Sequence, residues 1–449
     1  MSSIKIKLPI EVQFILGLLK GQNFKAYVVG GCVRDSLLEK IPNDWDIATN
    51  ASPDEVIKLF RKTGYTIIPT GMKHGTVTIV IHGVGYEVTT FRKDGDYSDN
   101  RHPNNVQFVD DLKEDLSRRD FTINAMAYNE QEGLIDYFNG IDDINNKIVR
   151  CVGNPLDRFN EDALRMMRAI RFSCQLGFNL QQDVIDAICS LKDNIQYISI
   201  ERIRDELCKI LISDNPTDGI KHLVQSGLME YIIPELYETL NFNQHNIHHD
   251  KDVFNHIMTV VENIEPVLDL RLSALLHDIG KPRCFTIGEN GQGHFYSHHK
   301  ISADMSREIL RRLKFDNKTI DKVSLLVYEH MSRYDKLRTP NTKKFINRVG
   351  INNLESLFSL QIADIKGSAK EYQNFDNVLK LKEQCYKILN ENQPLSTKDL
   401  KINGRDLMDI GFKQGKRIGE TLIYLLEEVI ENPELNDKDV LINIAKRRI

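Results

Sequence analysis

The chain has 449 residues, 41% hydrophobic and 27% charged, which suits a soluble globular protein but exceeds one ordinary core, so two to four domains are predicted. A net charge of −5 excludes wholesale attraction to nucleic acid, so any such partner must be met by local basic patches. Seven cysteines with no CxxC pair exclude a disulfide framework and zinc ribbons and point to a reducing cytoplasm.

The opening "MSSIKIKLPIEVQFILGLLKGQ" has alternating charge and no long apolar run, so neither a secretory signal nor a membrane span is expected. From about residue 24 to 150, strand and helix signals mix. "KAYVVGG" reads as a strand entering a turn, "GTVTIVIHGVGYEVTTFR" as a hairpin, and "LIDYFNGIDDINNKIVR" as further short strands. After Cys151 helical periodicity takes over almost to the end, with a soft boundary near Pro394 and Gly404. The predicted class is α+β. A head at 1–150 is followed by a helical neck at 151–240, a helical body at 241–370 and a helical tail at 371–449.

Chemistry enters at "VVGGCVRDSLLEK". Gly30 and Gly31 stand between a strand and a helix, where glycine backbone can approach a phosphate, and Arg34 in the first turn is placed to meet oxyanions. A tight structural turn would explain the same glycines. The next segment, "NDWDIATN", sets Asp44 and Asp46 on either side of the only tryptophan, Trp45. On a strand both carboxylates would share one face and repel each other unless a cation sat between them. Beside a phosphate cradle, that pair suits Mg²⁺ bridging triphosphate oxygens and an attacking hydroxyl. A solvated edge is the plainer reading of an isolated DxD.

Between Arg158 and Phe172 a continuous helix is predicted. Phe159, Ala163, Met166, Met167 and Ile170 form one face; Arg158, Glu161, Asp162, Arg165 and Arg168 form the other. Asp162 and Arg165, at i and i+3, could form an ordinary ion pair worth a few tenths of a kcal/mol. They could equally read a base, the carboxylate accepting from an exocyclic amino group while the guanidinium donates to the adjacent ring nitrogen. Cytosine and adenine offer that pattern; uracil and guanine do not. Farther on, His256, the doublet His277–Asp278, His299, His330 and Asp364 lie on successive helical segments and could converge on one or two metal ions in a bundle core. His298 competes with its neighbour His299 for this role.

The stretch "YVVGGCVRDSLLEKIPNDWDIATNASPDEV" resembles the signature of class II template-independent nucleotidyltransferases, the CCA-adding tRNA enzymes and bacterial poly(A) polymerases. "GMKHGTVTIV", "YEVTTFRKDGDYSDNRHPNNVQF", "RRDFTINAMAY" and "FNEDALRMMRAIRF" continue it in order. The resemblance implies a polymerase β-like mixed-sheet head. Asp44 and Asp46 would then hold Mg²⁺ and activate a ribose hydroxyl against the α-phosphate of CTP or ATP, with Glu87 as the third carboxylate. In the ribose-reading motif, Arg118 and Arg119 would meet phosphates, Asp120 would accept from a ribose hydroxyl and Asn124 would bind the nucleotide; a helix N-cap is the plain alternative for Asp120. Asp162 and Arg165 would select the base, Arg168 would belong to the same nucleotide site, and the acceptor would be the tRNA 3′ end. The segment Arg92–Pro103 resembles the loop needed for the final A, which disfavours C-only addition and leaves A-only addition and poly(A) synthesis as alternatives. The tail resembles that of CCA-adding enzymes, except that Lys416 replaces a common proline. The His–Asp series resembles the HD superfamily of metal-dependent phosphohydrolases and implies a second divalent metal. Two different classes stay open: an HD phosphohydrolase whose head senses RNA, and an RNA-binding scaffold with an inactive head. The sequence is silent on oligomeric state.

Overall fold

The computed structural model describes residues 4–95, 105–245, 251–289, 291–332, 338–391 and 393–448. The chain divides into two compact units, Met1–Pro234 and Glu235–Ile449. The predicted boundaries at 150 and 370 lie inside these units. Among the described residues no helix is long and apolar enough to cross a membrane.

In the first unit, α1 (Ile10–Gly21) leads into β1 (Ala26–Val29), α2 (Gly31–Leu37), β2 (Asp46–Thr49) and α3 (Pro53–Phe60). Next come β3 (Thr66–Gly71), β4 (Thr76–Ile81) and β5 (Val84–Thr90), then an antiparallel ribbon of β6 (Arg92–Asp94) and β7 (Val106–Phe108). After α4 (Leu112–Ser117), β8 (Met126–Asn129) and β9 (Gly133–Asp136) complete a seven-stranded mixed sheet ordered β3-β4-β5-β2-β1-β8-β9. Only its β2–β5 pair is parallel. The predicted hairpin forms between β4 and β5. His82 and Gly83 both take positive φ (51° and 82°), the two-residue turn that suits strand twist. Tyr27, Val29, Ala48 and Phe91 pack with Leu112, Leu116 and Val152 into a core.

The stretch from Leu134 departs from the expected string of strands. Asp136 accepts from the backbone N–H groups of Phe138, Gly140 and Ile141. Those bonds help turn the chain into α5 (Gly140–Asn145), and the strand resumes only at β10 (Ile148–Val149). The neck follows with α6 (Pro155–Glu161), α7 (Leu164–Leu176), β11 (Asn179–Leu180) parallel to β10, α8 (Gln182–Leu191), α9 (Ile200–Leu211), α10 (Pro216–Gln225) and α11 (Met229–Ile232). The continuous helix expected over 158–172 is broken at Asp162, whose backbone is extended (φ −142°, ψ 105°). Its carboxylate accepts from Leu164 N at 3.0 Å, the local bond by which aspartate competes with helix.

The second unit packs α12 (Val253–Glu262), α13 (Leu268–Leu276), α14 (His298–Arg312), α15 (Asn317–Glu329), α16 (Thr339–Val349) and α17 (Leu354–Gly367). A small hairpin of β12 (Phe285–Ile287) and β13 (Gly293–Phe295) precedes α14. The tail adds α18 (Asp376–Asn390), α19 (Gly404–Asp409), α20 (Lys416–Glu431) and α21 (Lys438–Lys446) around Leu407, Leu425, Val429 and Leu441. Lys416 opens α20 at the first helical position, the place where proline is also favoured.

Gln361 ties two of these helices together. From α17 its Nε2 donates toward the carbonyls of Glu329, His330 and Ser332 at 3.4, 3.1 and 2.9 Å, at the C-terminal end of α15. Gln361→Leu takes this donor from the buried His330 carbonyl, so thermal denaturation is expected to show a loss of about 1–2 kcal/mol.

Candidate active site and metal cluster

β1 ends at Val29, and Gly30 turns the chain into α2 with φ 82°. A Cβ at Gly30 would lie 2.7 Å from Arg119 Nη1, so glycine is needed both for the turn and for the guanidinium seated over it. Arg119 Nε is buried without a hydrogen-bond acceptor, which leaves a donor to spare beside the turn. Gly30→Ala is expected to cost about 1–3 kcal/mol of stability through strain alone and to displace Arg119; calorimetric melting measures the first effect.

Asp46 pairs with Val29 as the last rung of the β1–β2 ladder. Beyond that rung β1 has become the glycine turn, so Asp44 and Trp45 have no strand partner. Asp44 therefore sits exposed just before the strand rather than on it, correcting the expectation of two carboxylates on one strand. Ile47 is level with Val88 on β5, which places Glu87 beside Asp46 on the same sheet face. Burial pushes the Asp46 carboxyl up to about 6; Arg119 opposes this, while Asp44 and Glu87 add to it. Three acids thus share one local field with too little positive charge, and their oxygen-only donor set fits a hard divalent ion. They do not close into a group of three donors within 4.8 Å, so a bound substrate would have to supply further oxygens.

Behind this face the head is pinned to the neck. Asp120 pairs with Arg168 at 2.5 Å and accepts from Phe121 N and Asn124 Nδ2. Burial alone would raise its carboxyl, but Arg168 and Arg165 hold it down at about 2. The short helical turn Thr122–Asn124 starts after Phe121, so Asp120 is not its cap. Arg34 Nη1 donates to Asn124 Oδ1 at 2.6 Å, and Arg34 also pairs with Asp35. The guanidinium groups of Arg34, Arg168 and Arg171 surround the Phe172 ring at 5.1, 5.5 and 4.1 Å. Arg171, paired with Glu206 at 2.6 Å, was not anticipated, although Arg165, Arg168 and Arg171 recur every three residues.

The base-reading candidates take unexpected partners. Asp162 Oδ2 accepts from Arg202 Nη2 on α9 at 2.9 Å. Arg165 Nη1 pairs with Glu161 at 2.5 Å, and its Nη2 donates to the Arg118 carbonyl at 3.2 Å. With the helix broken at Asp162, the two side chains take different partners, Arg202 for Asp162 and Glu161 for Arg165. Arg118 itself is held by Asp115 through Nε and Nη2 (3.0 and 2.8 Å). A cavity of about 560 Å³ adjoins this group, lined among others by Lys93, Arg118, Arg158 and Glu161. Beyond Gly95, the segment resembling the A-addition loop lies outside the described residues.

In the second unit, four histidines and two aspartates converge. His256 Nε2 is 3.2 Å from His277 Nε2, 3.3 Å from Asp278 Oδ2 and 3.2 Å from Asp364 Oδ1. His298 Nε2 is 3.3 Å from both His330 Nε2 and Asp278 Oδ1. His298 is therefore the member, not His299, whose ring packs edge-on against Tyr328. The two stand side by side at the start of α14, so only one can face the cluster. Each clustered imidazole has its Nδ1 on a backbone carbonyl: Gly367 for His256, Ala274 for His277, Phe295 for His298 and Val327 for His330. A carbonyl can only accept, so Nδ1 carries the proton and every Nε2 turns inward as a potential ligand. Neither Asp278 oxygen receives a well-directed hydrogen bond. Four imidazoles and two carboxylates fit a transition metal ion better than Mg²⁺.

The Poly A polymerase head domain matches residues 26–150, the RNA- and SrmB-binding segment of polymerase A matches 177–240, and tRNA nucleotidyltransferase domain 2 matches 294–445. A CCA-adding enzyme of Ligilactobacillus salivarius is 35% identical over 440 residues, covering 96% of this chain and 95% of that protein. The chain belongs to the CCA-adding enzyme family. A relative from Staphylococcus epidermidis, also a CCA-adding enzyme, is 33% identical over 95% of both chains. The crystal structure of the Bacillus stearothermophilus CCA-adding enzyme in complex with CTP is 29% identical, covers 98% of each chain and has a TM-score of 0.74. A Thermotoga maritima CCA-adding enzyme complexed with tRNA shares the fold, with a TM-score of 0.58 at 21% identity. As a CCA-adding enzyme the chain is a tRNA nucleotidyltransferase, and its mixed-sheet unit carries the nucleotidyltransferase head.

Proposed function

We propose that the chain adds C, C and A from CTP and ATP to the 3′ end of tRNA, releasing pyrophosphate. The observation that carries this reading is the set Asp46, Asp44 and Glu87 beside the Gly30 turn, with the base-reading residues on the same compact unit. Asp44, Asp46 and Glu87 would hold Mg²⁺, which when bound polarises the phosphate and lowers the barrier to deprotonating a ribose hydroxyl. Arg119, with its spare Nε, orients the triphosphate, and Arg34, Arg168 and Arg171, each paired with a carboxylate, fix the neighbouring wall around Phe172. Asp120, kept ionised, spends its oxygens on Arg168, Asn124 and Phe121 N and so positions the residues around the sugar. Asp162 accepts from the amino group of cytosine or adenine, while Arg165, steadied by Glu161, supplies the donor. The 560 Å³ cavity gives room for the acceptor end. Seven unpaired cysteines fit a cytoplasmic setting. Incubating tRNA that lacks its 3′ end with each labelled nucleotide and Mg²⁺ tests the reading. C followed by A supports it, A only onto a CC end reduces it to A addition, and long A tracts make the chain a poly(A) polymerase.

A second activity is favoured by the His–Asp cluster. We infer a metal-dependent phosphohydrolase acting on phosphomonoesters or cyclic phosphodiesters such as a damaged tRNA 3′ end, with His256, His277, Asp278, His298, His330 and Asp364 as ligands. In phosphate-release assays with Mn²⁺, Asp278→Ala is expected to abolish hydrolysis and leave CCA addition within about twofold, since the cluster and the head carboxylates belong to separate compact units and share no partner residue. Equal loss of both activities would refute a separate site.

A further inference from the structure

Asp278 stands between two sets of nitrogen ligands, but its oxygens are not equivalent. Oδ1 faces His298 and His330 at 3.3 and 3.8 Å. Oδ2 faces His256 and His277 at 3.3 and 3.2 Å, and also the Lys281 ammonium at 2.7 Å. Lys281 follows Asp278 by three residues, is 4% exposed, and rests its Nζ on Gln244 Oε1 at 2.9 Å and over the Phe295 ring at 5.4 Å. Gln244 is itself buried at 1% exposure and donates to the Lys251 carbonyl. The ammonium therefore has one charged and one neutral partner, and the charged one is the oxygen a metal ion would use.

Resting on the reading of this cluster as a metal centre, we propose that Lys281 is a built-in competitor for the ion held by His256, His277, Asp364 and Asp278 Oδ2, and that Gln244 receives its ammonium when that ion binds. A divalent ion at Oδ2 must displace the lysine or sit beside it at close range, and like charges in a dry interior repel strongly. Among the described residues no ammonium or guanidinium is paired with Oδ1, and Lys281 reaches that half only through its longer-range field on His298. The two halves are therefore unequal. The ion at Oδ2 is the exchangeable one although it has more ligands, and Lys281 fills the charge deficit of Asp278 and Asp364 when that ion leaves.

Isothermal titration of Mn²⁺ into the full chain tests this, in an Asp44→Asn, Asp46→Asn background that silences the head. Two binding events are expected, and His298→Ala with His330→Ala should leave only the Oδ2 event. Lys281→Met should tighten that event by at least about tenfold, because the repelling charge is gone. Gln244→Leu should weaken it, because the displaced ammonium has nowhere to go. The opposite signs guard against a general loss of packing, and circular dichroism verifies folding; Lys281→Gln replaces methionine if that variant is unstable. Unchanged affinity in folded lysine variants overturns the competitor role and leaves the metal reading standing. No Mn²⁺ bound by any chain overturns both.

Discussion

Asp46→Asn is expected to reduce incorporation of labelled CTP and ATP into tRNA by about three orders of magnitude or more, since losing a metal ligand forfeits several kcal/mol of transition-state stabilisation. The same change should make the protein more stable at neutral pH. Burial, Asp44 and Glu87 leave the Asp46 carboxyl at about 6, above its unfolded value, even with Arg119 opposing them. Between the unfolded and folded values the native state binds the extra proton, so stability falls as pH rises through that window and stays lower above it. Asparagine carries no charge and escapes this loss. The melting temperature of the variant should therefore exceed that of the wild type at pH 7.5, with the gap closing toward pH 4. Wild-type activity at limiting Mg²⁺ should fall as pH drops through about 6, and added Mg²⁺ should move that fall to lower pH by competing with the proton. An inactive variant with no stability gain would refute the charge crowding, and an active one would refute the ligand role.

Asp162→Ala is expected to erase base selection more than tRNA binding. A site built to hydrogen-bond its substrate rejects the wrong partner because buried polar groups would go unpaired. Without the carboxylate, the preference for CTP over UTP should fall by at least about 100-fold, measured as the ratio of kcat/KM values, while tRNA affinity by filter binding stays within about twofold. Arg202→Met probes the support of that carboxylate. Arg202 holds Asp162 Oδ2 at 2.9 Å, so its loss should lower selectivity in the same direction but less severely. If Asp162→Ala keeps its preference, Asp162 is only the cap that breaks the helix.

Much of this arrangement could be read from the residues, and the departures have physical causes. The glycine turn, the β4–β5 hairpin and the helical character after Cys151 follow from short-range pattern, which local physics obeys. Asp44 left its predicted strand because a ladder ends where its partner ends, and the partner of β2 is a glycine turn. The break at Asp162 was missed because the hydrophobic face runs unbroken across it; only the competing bond from Asp162 to Leu164 N discloses it. Arg202 lies forty residues from the aspartate it holds, a separation that no periodicity reveals. The choice between His298 and His299 needed the direction in which α14 enters the cluster.

The link between Asp120 and Arg168 makes the head and neck one mechanical part. The carboxylates that would perform the chemistry and the side chains that would choose the letter lie in one compact unit, tied across the head–neck junction by a buried ion pair. A chain cut near residue 150 would bare a carboxylate that has lost its counter-charge and forfeit the reader. The cut should therefore fall after Pro234, where the first compact unit ends, and not at the end of the sheet.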